Sequence, residues 1–534
     1  MIIVVTAASV FAFFAGWELM TLLSAALIVL EGDSEARRRS VFLYLLTMHA
    51  GAALVLSAFL LFAPYAPNLD FDSIRIAGGA MAGSAKAAIF LLAFFGFATK
   101  AGIIPLHVWL PRTHPMAPTP VSALMSGIML KTAIYAFLLF AFDFLSGGPA
   151  WGGYLVLAAG IVSAFLGILY AIFETDLKRL LAYSSVENIG IIYLSIGASL
   201  VSMKNGVPGI AALALLAALV HTLNHAIFKN LLFLGAGAIH LRTQTLKLND
   251  LGGLAKAMPM TGLAFLVGCV SIAGMPLFNG FIGEWIAFQS FLGGAQSHSL
   301  VPQVVLPLLA GVLALTAGLA AACFVNVYGA AFLGRPRGQE IEAHRDVPLS
   351  MLLPLGILAA ACVLIGVAPM VLIRPLLALT QALIPGASFD GLAAMSRGMQ
   401  LVAVSVLVTA AAAALIRAAV RKSATWACGL PALTSRMQYT ATSFSKPIRM
   451  VFAAVYKPDR RLESSPADQP YFPTAISYQS TRTVSYEKLL YRPVFDSILS
   501  VAGRLRRLQS GNIQLYLLYI FLALLSMLLL MRFQ

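Results

Sequence analysis

Long apolar stretches recur along the whole chain, and short polar segments separate them. Most stretches reach about 20 residues, the length with which an α-helix crosses the hydrocarbon core of a bilayer. The pattern predicts about twelve spans, near residues 3–30, 41–63, 87–106, 118–142, 152–173, 187–202, 208–238, 259–290, 303–333, 349–373, 399–420 and 513–531. We therefore expect an all-α, polytopic membrane protein embedded in the lipid bilayer.

Basic residues are divided unevenly between alternate loops. The basic loops carry Arg37, Arg38, Arg39, Arg112, Lys178, Arg179, Arg242, Lys247, Lys256, Arg335, Arg337, Arg345 and the segment from Arg417 to Arg507. The poorer loops carry Arg75, Lys86, Lys204, Arg374, Arg397 and Arg532. Because cytoplasmic loops are enriched in Lys and Arg, this division predicts cytoplasmic basic loops and two external termini, in a multi-pass protein of the cell inner (plasma) membrane.

The composition excludes a soluble protein and argues against a nucleic-acid partner. Hydrophobic residues make up 60% of the chain and charged residues 11%, with a mean hydropathy of +0.88. The net charge of +15 is spread between the spans and forms no stripe on a folded face, so we expect no nucleic acid. Cys269, Cys323, Cys362 and Cys428 stand singly. We therefore expect them to be packing residues, with no metal and no cofactor bound by this chain.

Two of the predicted spans contain similar interruptions. The first has Gly102 and Pro105, and the second has Gly274 and Pro276. Proline removes a backbone hydrogen bond, and lipid does not accept the polar groups that it exposes, so both interruptions should face protein or a hydrated cavity. Matching interruptions in two halves indicate an internal repeat of the transporter type.

Seven ionisable side chains lie within predicted spans. They are Glu18, Lys100, Lys131, His221, His225, Lys229 and Glu284. A charge at the centre of a membrane helix costs roughly 2.5 to 3.5 kcal/mol even on the lower scales. Their presence at this cost indicates that the protein moves ions, most simply protons, between them.

The first three residues of this set suggest the start of a relay. Glu18 lies near the middle of its span, and we expect it to pair with Lys100 beside the first interruption, so that displacing one partner changes the protonation of the other. The alternative is a static ion pair, although buried pairs stabilise proteins poorly. Lys131 is the next expected station, unless its long side chain reaches the membrane surface.

The remaining four residues belong to the second half. His221, His225 and Lys229 are spaced four residues apart, which places them on one face of a helix with about 6 Å between successive residues along its axis. Histidines with this spacing also suit a metal, but that face has no carboxylate or cysteine to complete a site. Glu284 follows the second interruption, where we expect an exit group.

Other polar groups allow no firm assignment. Glu187 and Asn188 stand at a predicted span entrance, which suggests an interfacial position. His49, His107, His114 and His240 remain open. The proline-punctuated polar stretch near residues 418–512 could contact anionic lipid headgroups or an acidic partner, or could only orient its neighbouring helices.

Four motifs resemble a known family of membrane subunits. They are FATKAGIIPLHVWLP at 97–111, APTPVSAL at 117–124, DLKRLLAYSS at 176–185 and NHAIFKNLLFL at 224–234. They are similar to the antiporter-like, proton-translocating subunits of respiratory complex I, of Mrp antiporters and of group 4 membrane-bound hydrogenases. The resemblance extends from about residue 10 to residue 335. Residues 111–118, 125–132 and 186–188 look most like the large antiporter-like subunit of hydrogenase-4 and formate hydrogenlyase complexes.

The resemblance implies two inverted repeats of helices, each with one interrupted helix. It divides the chain into an apparently incomplete first repeat (1–143), a second repeat (150–335), additional membrane helices (349–420), a cytoplasmic basic surface segment (421–510) and a C-terminal membrane helix (511–534). The family has several helices before the span that contains Glu18, whereas that span here begins at Met1. The resemblance therefore leaves open whether the start is truncated or a neighbouring subunit supplies the missing wall.

The resemblance also implies a function. Glu18 with Lys100 would be the switchable pair, Lys131, His221, His225 and Lys229 the proton relay, and Glu284 the distal gate. The chain would be an ion-translocating subunit of a membrane oxidoreductase, with other membrane subunits and cytoplasmic soluble redox subunits as partners and no redox site of its own. Rival hypotheses are an NADH- or quinone-linked complex I subunit, an Mrp-type sodium/proton antiporter subunit and a membrane anchor that does not pump.

Overall fold

The computed structural model of the protein describes residues 1–337, 346–387, 392–420, 426, 428–429, 434–456, 458–464, 476–482, 491–506, 511 and 513–532. The chain forms two compact units, Met1–Ser445 and Lys446–Gln534. Parts of the predicted basic segment 421–510 fall outside the described residues.

The first unit is built from helices. They are α1 (Ile2–Thr6), α2 (Val10–Val29), α3 (Glu35–Leu60), α4 (Phe71–Ala80), α5 (Gly83–Ala101), α6 (Trp109–Thr113), α7 (Thr119–Leu124), α8 (Leu130–Leu138), α9 (Gly152–Ala171), α10 (Leu177–Lys204), α11 (Pro208–Thr243), α12 (Leu254–Ala257), α13 (Pro259–Ile272), α14 (Asn279–Gly293), α15 (Leu300–Phe332), α16 (Leu349–Val367), α17 (Met370–Leu383) and α18 (Leu392–Ala419). Two π-helical segments, Met125–Met129 and Leu139–Phe144, flank α8, and 3-10 turns occupy Gly294–Gln296 and Ser435–Met437.

The second unit mixes short helices with a hairpin. Helix α19 (Ala441–Val451) begins in the first unit, and α20 (Ala453–Tyr456), α21 (Arg492–Leu505) and α22 (Ile513–Arg532) follow. The strands β1 (Pro458–Ser464) and β2 (Ile476–Arg482) pair antiparallel, with Pro458 opposite Arg482.

The membrane architecture confirms the predicted fold class. Within the described residues, ten helices are long and apolar enough to span a bilayer, and α13, α17 and Ile513–Leu529 are shorter apolar helices. Two predicted boundaries were wrong. Helix α10 begins at Leu177 rather than near residue 187. The span predicted at 349–373 is two helices, because α16 ends at Val367 and α17 starts after Pro369.

Aromatic side chains fill the first half of the membrane core. The rings of Phe13 and Phe59 lie 5.4 Å apart, those of Trp17 and Phe97 5.4 Å, and those of Phe97 and Phe140 5.2 Å. These residues belong to α2, α3, α5 and the second π-helical segment. Edge-on aromatic pairs of this kind add about 0.5–1.5 kcal/mol each beyond their burial. The cluster therefore fixes α5, which ends beside the first interruption, against α2.

Glycines allow α9 and α10 to approach closely. Gly153, Gly160 and Gly167 repeat every seven residues on α9, and Gly190 and Gly197 do so on α10. At each of the five positions an added Cβ would lie closer than 3.0 Å to the facing helix. Small residues at such an interface are a general means of packing helices in membranes, where apolar burial between helices gives little driving force.

Several basic loops meet at one end of the helices. The Arg37 side chain donates to Met116 O at 3.2 Å, and the Lys178 ammonium donates to Ala117 O at 2.8 Å. A β-bridge joins the start of α10 to the loop that carries Lys247. We call this end, which carries Arg37, Lys178 and Lys247, the basic end.

Asp346 caps α13 from a distant part of the sequence. Its carboxylate accepts hydrogen bonds from the backbone N–H of Met260 at 2.8 Å and of Thr261 at 3.1 Å, and from the Thr261 hydroxyl. Burial opposes ionisation of this carboxyl, but these hydrogen bonds and one from Val347 outweigh it and hold the pKa of Asp346 below its ordinary value. The first turn of α13 thereby gains acceptors that its own helix cannot supply.

Residues 434–445, at the end of the first unit, bind loops from earlier in that unit. The Gln438 side chain accepts from Arg335 N at 2.9 Å and donates to Arg335 O at 2.8 Å. Asn249 donates to the Thr442 hydroxyl at 2.8 Å and accepts from Thr442 N at 3.3 Å. We call residues 434–445 the return segment, because these reciprocal bonds attach it to loops that lie more than a hundred residues earlier in the chain.

Candidate functional site

The first interruption places Lys100 inside the protein. Helix α5 stops at Ala101 because Gly102 takes a left-handed conformation, with φ of 81°, and Pro105 follows in a cis peptide. Lys100 is only 1% exposed. Its ammonium donates to the Thr21 hydroxyl at 2.8 Å and to Trp17 O at 3.3 Å, and lies 4.0 Å from the Trp17 ring. A carbonyl, a hydroxyl and an aromatic face thus replace water around this cation.

Glu18 is paired differently from the sequence prediction. Its ion-pair partner among the described residues is His49 at 3.7 Å, and the two side chains are 23% and 52% exposed. Glu18 remains near enough for its charge to act on Lys100. The Lys100 ammonium instead donates to the hydroxyl of Thr21, which lies on the turn of α2 after Glu18. In this structure the Glu18 carboxylate therefore lies against His49, which the sequence left unassigned, and the Lys100 ammonium bonds Thr21.

Lys131 extends the site toward the second half. It follows the π-helical segment Met125–Met129, and its ammonium donates to Ser126 O, within that segment, at 2.6 Å. The Ser126 hydroxyl in turn lies 2.8 Å from that of Ser185 on α10. The charge of Lys131 acts on His221 and His225. Lys131 is thus linked through Ser126 to α10. It also lies next to a π-helical segment, and such segments are frequent at functional sites.

The row on α11 is buried as the spacing predicts. His221 is 1% exposed, and His225 and Lys229 are fully buried. The Lys229 ammonium donates to the Ser184 hydroxyl at 2.6 Å and to Leu181 O at 2.9 Å. Three titratable groups therefore succeed one another along a single helix, inside the protein rather than against lipid.

Helix α10 adds two groups that the sequence placed at an interface. Glu187 and Asn188 are each 1% exposed. Asn188 donates to Glu187 Oε2 at 3.3 Å, and its Oδ1 lies 3.1 Å from His221 Nε2. The interfacial assignment was wrong because α10 begins ten residues earlier than predicted, at Leu177. Glu187 lies close enough to Lys229 and Glu284 for their charges to act on it.

Glu284 stands beside the second interruption. Helix α13 stops at Ile272, Gly274 has φ of 62°, and α14 starts at Asn279, after Pro276. Glu284 is 6% exposed, and its carboxylate occupies the space that a side chain at Gly274 would need. The neighbouring Gly283 lets α14 approach His221, since a Cβ there would lie 2.7 Å from the imidazole.

Reciprocal amide contacts hold this junction together. Asn224 donates to Asn279 O at 2.7 Å, and Asn279 donates to Asn224 O at 3.3 Å. The start of α14 is therefore tied to the face of α11 that carries the histidines. Within the described part of the chain, no three His, Cys, Asp or Glu side chains meet in a metal-binding group. Cys269, Cys323 and Cys362 are buried and unpaired, whereas Cys428 is exposed.

These residues form two groups of interacting charges within the membrane helices. Glu18 acts on Lys100, and Lys131 interacts with the α11 row, whose Lys229 is coupled to Glu187 and, through it, to Glu284. Buried titratable groups that act on one another can transfer protons if water bridges the gaps.

Comparison with known proteins finds a matching family and several relatives. The family described as "NADH:quinone oxidoreductase/Mrp antiporter, TM" matches residues 7–310. Hydrogenase-4 component B of Escherichia coli (strain K12) is 38% identical over 97% of this chain and 79% of its own length. Formate hydrogenlyase subunit 3 of the same organism is 39% identical over 69% of this chain and 61% of its own length.

A solved structure shares the fold across nearly the whole chain. It is that of the membrane-bound sulfane sulfur reductase, an archaeal respiratory membrane complex, with a TM-score of 0.75, 25% identity, and coverage of 98% of this chain and 81% of that one. These matches confirm the resemblance read from the motifs. The chain belongs to the NADH:quinone oxidoreductase/Mrp antiporter family of membrane proteins.

Proposed function

We propose that this chain is the proton-translocating membrane subunit of a hydrogenase-linked redox complex. The observation that carries the proposal is the set of titratable groups inside the membrane helices, with Lys100, Lys229 and Glu284 buried and Lys131 partly buried. The family assignment and the 38% identity to a hydrogenase-4 component support it. Buried charges at membrane depth are costly, and transport is the role for which proteins keep them.

The proposed mechanism is a sequence of electrostatic steps. Closing Glu18 onto Lys100 neutralises part of the charge that Lys131 experiences, so Lys131 changes its affinity for a proton. The change then passes to His225 and Lys229 because their charges interact. Each step shifts the proton affinity of its neighbour by Coulomb coupling, which is strong away from water.

Redox chemistry belongs to partner chains in this proposal. Soluble redox subunits would bind at the basic end, which would face the cytoplasm of a cell whose inner membrane holds the complex. A conformational change at that contact would open or close the Glu18 pair. The chain itself would bind no cofactor, and its contribution would be the path and the coupling.

The test uses the complex purified through a tag on this chain. Mass spectrometry of the co-purifying chains should find a hydrogenase large subunit. The complex, in phospholipid vesicles with a pH-sensitive dye, is then supplied with reduced methyl viologen, and hydrogen evolution and proton movement are recorded together. Lys229→Ala and Lys100→Ala should abolish proton movement while the complex still assembles. Lys256→Ala, at an exposed position, is the matched control.

Two results would reject the proposal. Unchanged proton movement in Lys229→Ala would show that the chain is a membrane anchor. Proton movement that follows an imposed sodium or potassium gradient, with no redox partner present, would favour the antiporter function that the family description also names.

A further inference from the structure

The α11 row points beyond Lys229 to another imidazole. Continuing the spacing of His221, His225 and Lys229 by four residues leads to Phe233, which is buried. The Phe233 ring stacks on the ring of His114, with centroids 5.0 Å apart and planes inclined by 23°. His114 therefore lies one helical turn beyond Lys229 along the same row, although it comes from the segment between α6 and α7.

His114 is held firmly by its backbone but not by its ring. Its N–H donates to Leu110 O at 3.1 Å, and its carbonyl accepts from the Ser122 hydroxyl at 3.1 Å. The side chain is fully buried, yet neither ring nitrogen has a hydrogen-bond partner in the described part of the protein. Buried polar atoms are almost always hydrogen-bonded, so these nitrogens are suited to bind ordered water.

The charges of two lysines, Lys229 and Lys178, act on His114. Lys229 belongs to the α11 row, whereas Lys178 is 5% exposed and bonds Ala117 O at the basic end. Ala117 lies three residues after His114, so the segment that carries the imidazole also binds Lys178.

We propose that His114 transfers protons between Lys229 and the aqueous phase at the basic end. The inference rests on the proton-translocating function proposed above. An ordered water on the Lys178 side delivers a proton to one ring nitrogen, and the other ring nitrogen gives its proton through a second water to the neutral Lys229 amine. The imidazole returns to its neutral form with its N–H on the opposite nitrogen. Turning the ring restores the starting state, so one proton moves and no bond to carbon changes.

The experiment compares variants of the whole complex in vesicles. His114→Ala should slow redox-driven proton movement about 10–100-fold, the scale on which a positioned proton carrier contributes, while hydrogen evolution with a protonophore present and the assembled amount stay unchanged. Imidazole added to the variant should restore the rate. Pyrazole has the same shape but is too weak a base, and it should not. His240→Ala, on the exposed end of α11, is the matched control.

The possible outcomes distinguish a failure of the His114 inference from a failure of the proposed proton-translocating function. If Lys229→Ala is inactive but His114→Ala keeps the full rate, His114 carries no protons and the proposed function stands. If imidazole and pyrazole restore His114→Ala equally, or neither does, the imidazole only fills space beside Phe233 and the inference is overturned. If Lys229→Ala itself keeps the full rate, the proposed function fails first.

Discussion

Replacing Gly160 by alanine should force α9 and α10 apart. The new methyl group would lie 2.7 Å from Leu194 N and 3.0 Å from Gly190 O, whereas ordinary contacts begin at 3.4 Å. The backbones must therefore separate locally by the difference between 3.4 and 2.7 Å, about 0.7 Å. Overpacking of this kind costs about 1–3 kcal/mol. The higher helix propensity of alanine, about 1 kcal/mol more favourable than that of glycine, offsets part of this steric cost.

A second glycine removes this ambiguity. Gly318, within α15, has no atom near its missing Cβ, so Gly318→Ala gains the helix propensity without a clash. The difference between the two variants in free energy of unfolding isolates the steric cost, which we expect to be about 1–3 kcal/mol. Equilibrium unfolding in mixed micelles, followed by tryptophan fluorescence, measures it. Equal stability of Gly160→Ala and Gly318→Ala would refute the claim that α9 and α10 depend on glycine contact.

Three further outcomes follow from the contacts described above. Asp346→Ala removes the acceptor at the start of α13 and should lower stability by about 1 kcal/mol in micelle unfolding; because the pKa of Asp346 lies below its ordinary 3.8, this loss should be full above that pH and disappear only as the pH falls through the folded-state value. Gln438→Ala should accelerate tryptic cleavage after Arg436 about fivefold, since two bonds to Arg335 are lost; an unchanged digestion rate would show that the return segment is held by other contacts. Asn188→Ala should slow proton movement up to about tenfold by releasing His221, with unchanged assembly; an unaltered rate would exclude orientation of His221 by the amide.

Local signals explain which parts of the fold could be predicted. The two interruptions follow from Gly102 with Pro105 and Gly274 with Pro276, because a left-handed glycine followed closely by a residue without an N–H ends a helix. The α11 row was predictable for a similar reason, since helical spacing is a property of a single segment. Both findings required no knowledge of what packs against these helices.

Features that depend on other segments escaped prediction. Lys178 reads as a loop residue, yet it is buried inside α10 because Ala117 O accepts its ammonium. Because Lys178 was assigned to a loop, the predicted start of α10 fell near residue 187 instead of Leu177, and Glu187 was placed at the membrane–water interface. A charged side chain near a helix end is expected to be exposed to solvent unless its partner is known. The partner of Lys178 is Ala117 O, which lies 61 residues earlier in the chain.

The sequence predicted which ionisable residues lie in the membrane region, but not which groups they contact. Lys100, Lys131 and Lys229 are all buried or partly buried groups of the membrane region, as expected. The sequence could not show that Lys131 bonds a carbonyl of a π-helical turn, since π-helical turns have no distinctive composition. Nor could it show that the Glu18 carboxylate lies against His49.

The contact between Glu18 and His49 affects how long newly made copies of the chain persist in the membrane. Both side chains are partly exposed on α2 and α3, two helices that are long and apolar enough to span a bilayer. Acyl chains cannot hydrogen-bond a carboxylate and an imidazole. Newly inserted copies should therefore persist only when another polypeptide or a pocket of water covers α2 and α3, which would make the abundance of this chain depend on the supply of its neighbours.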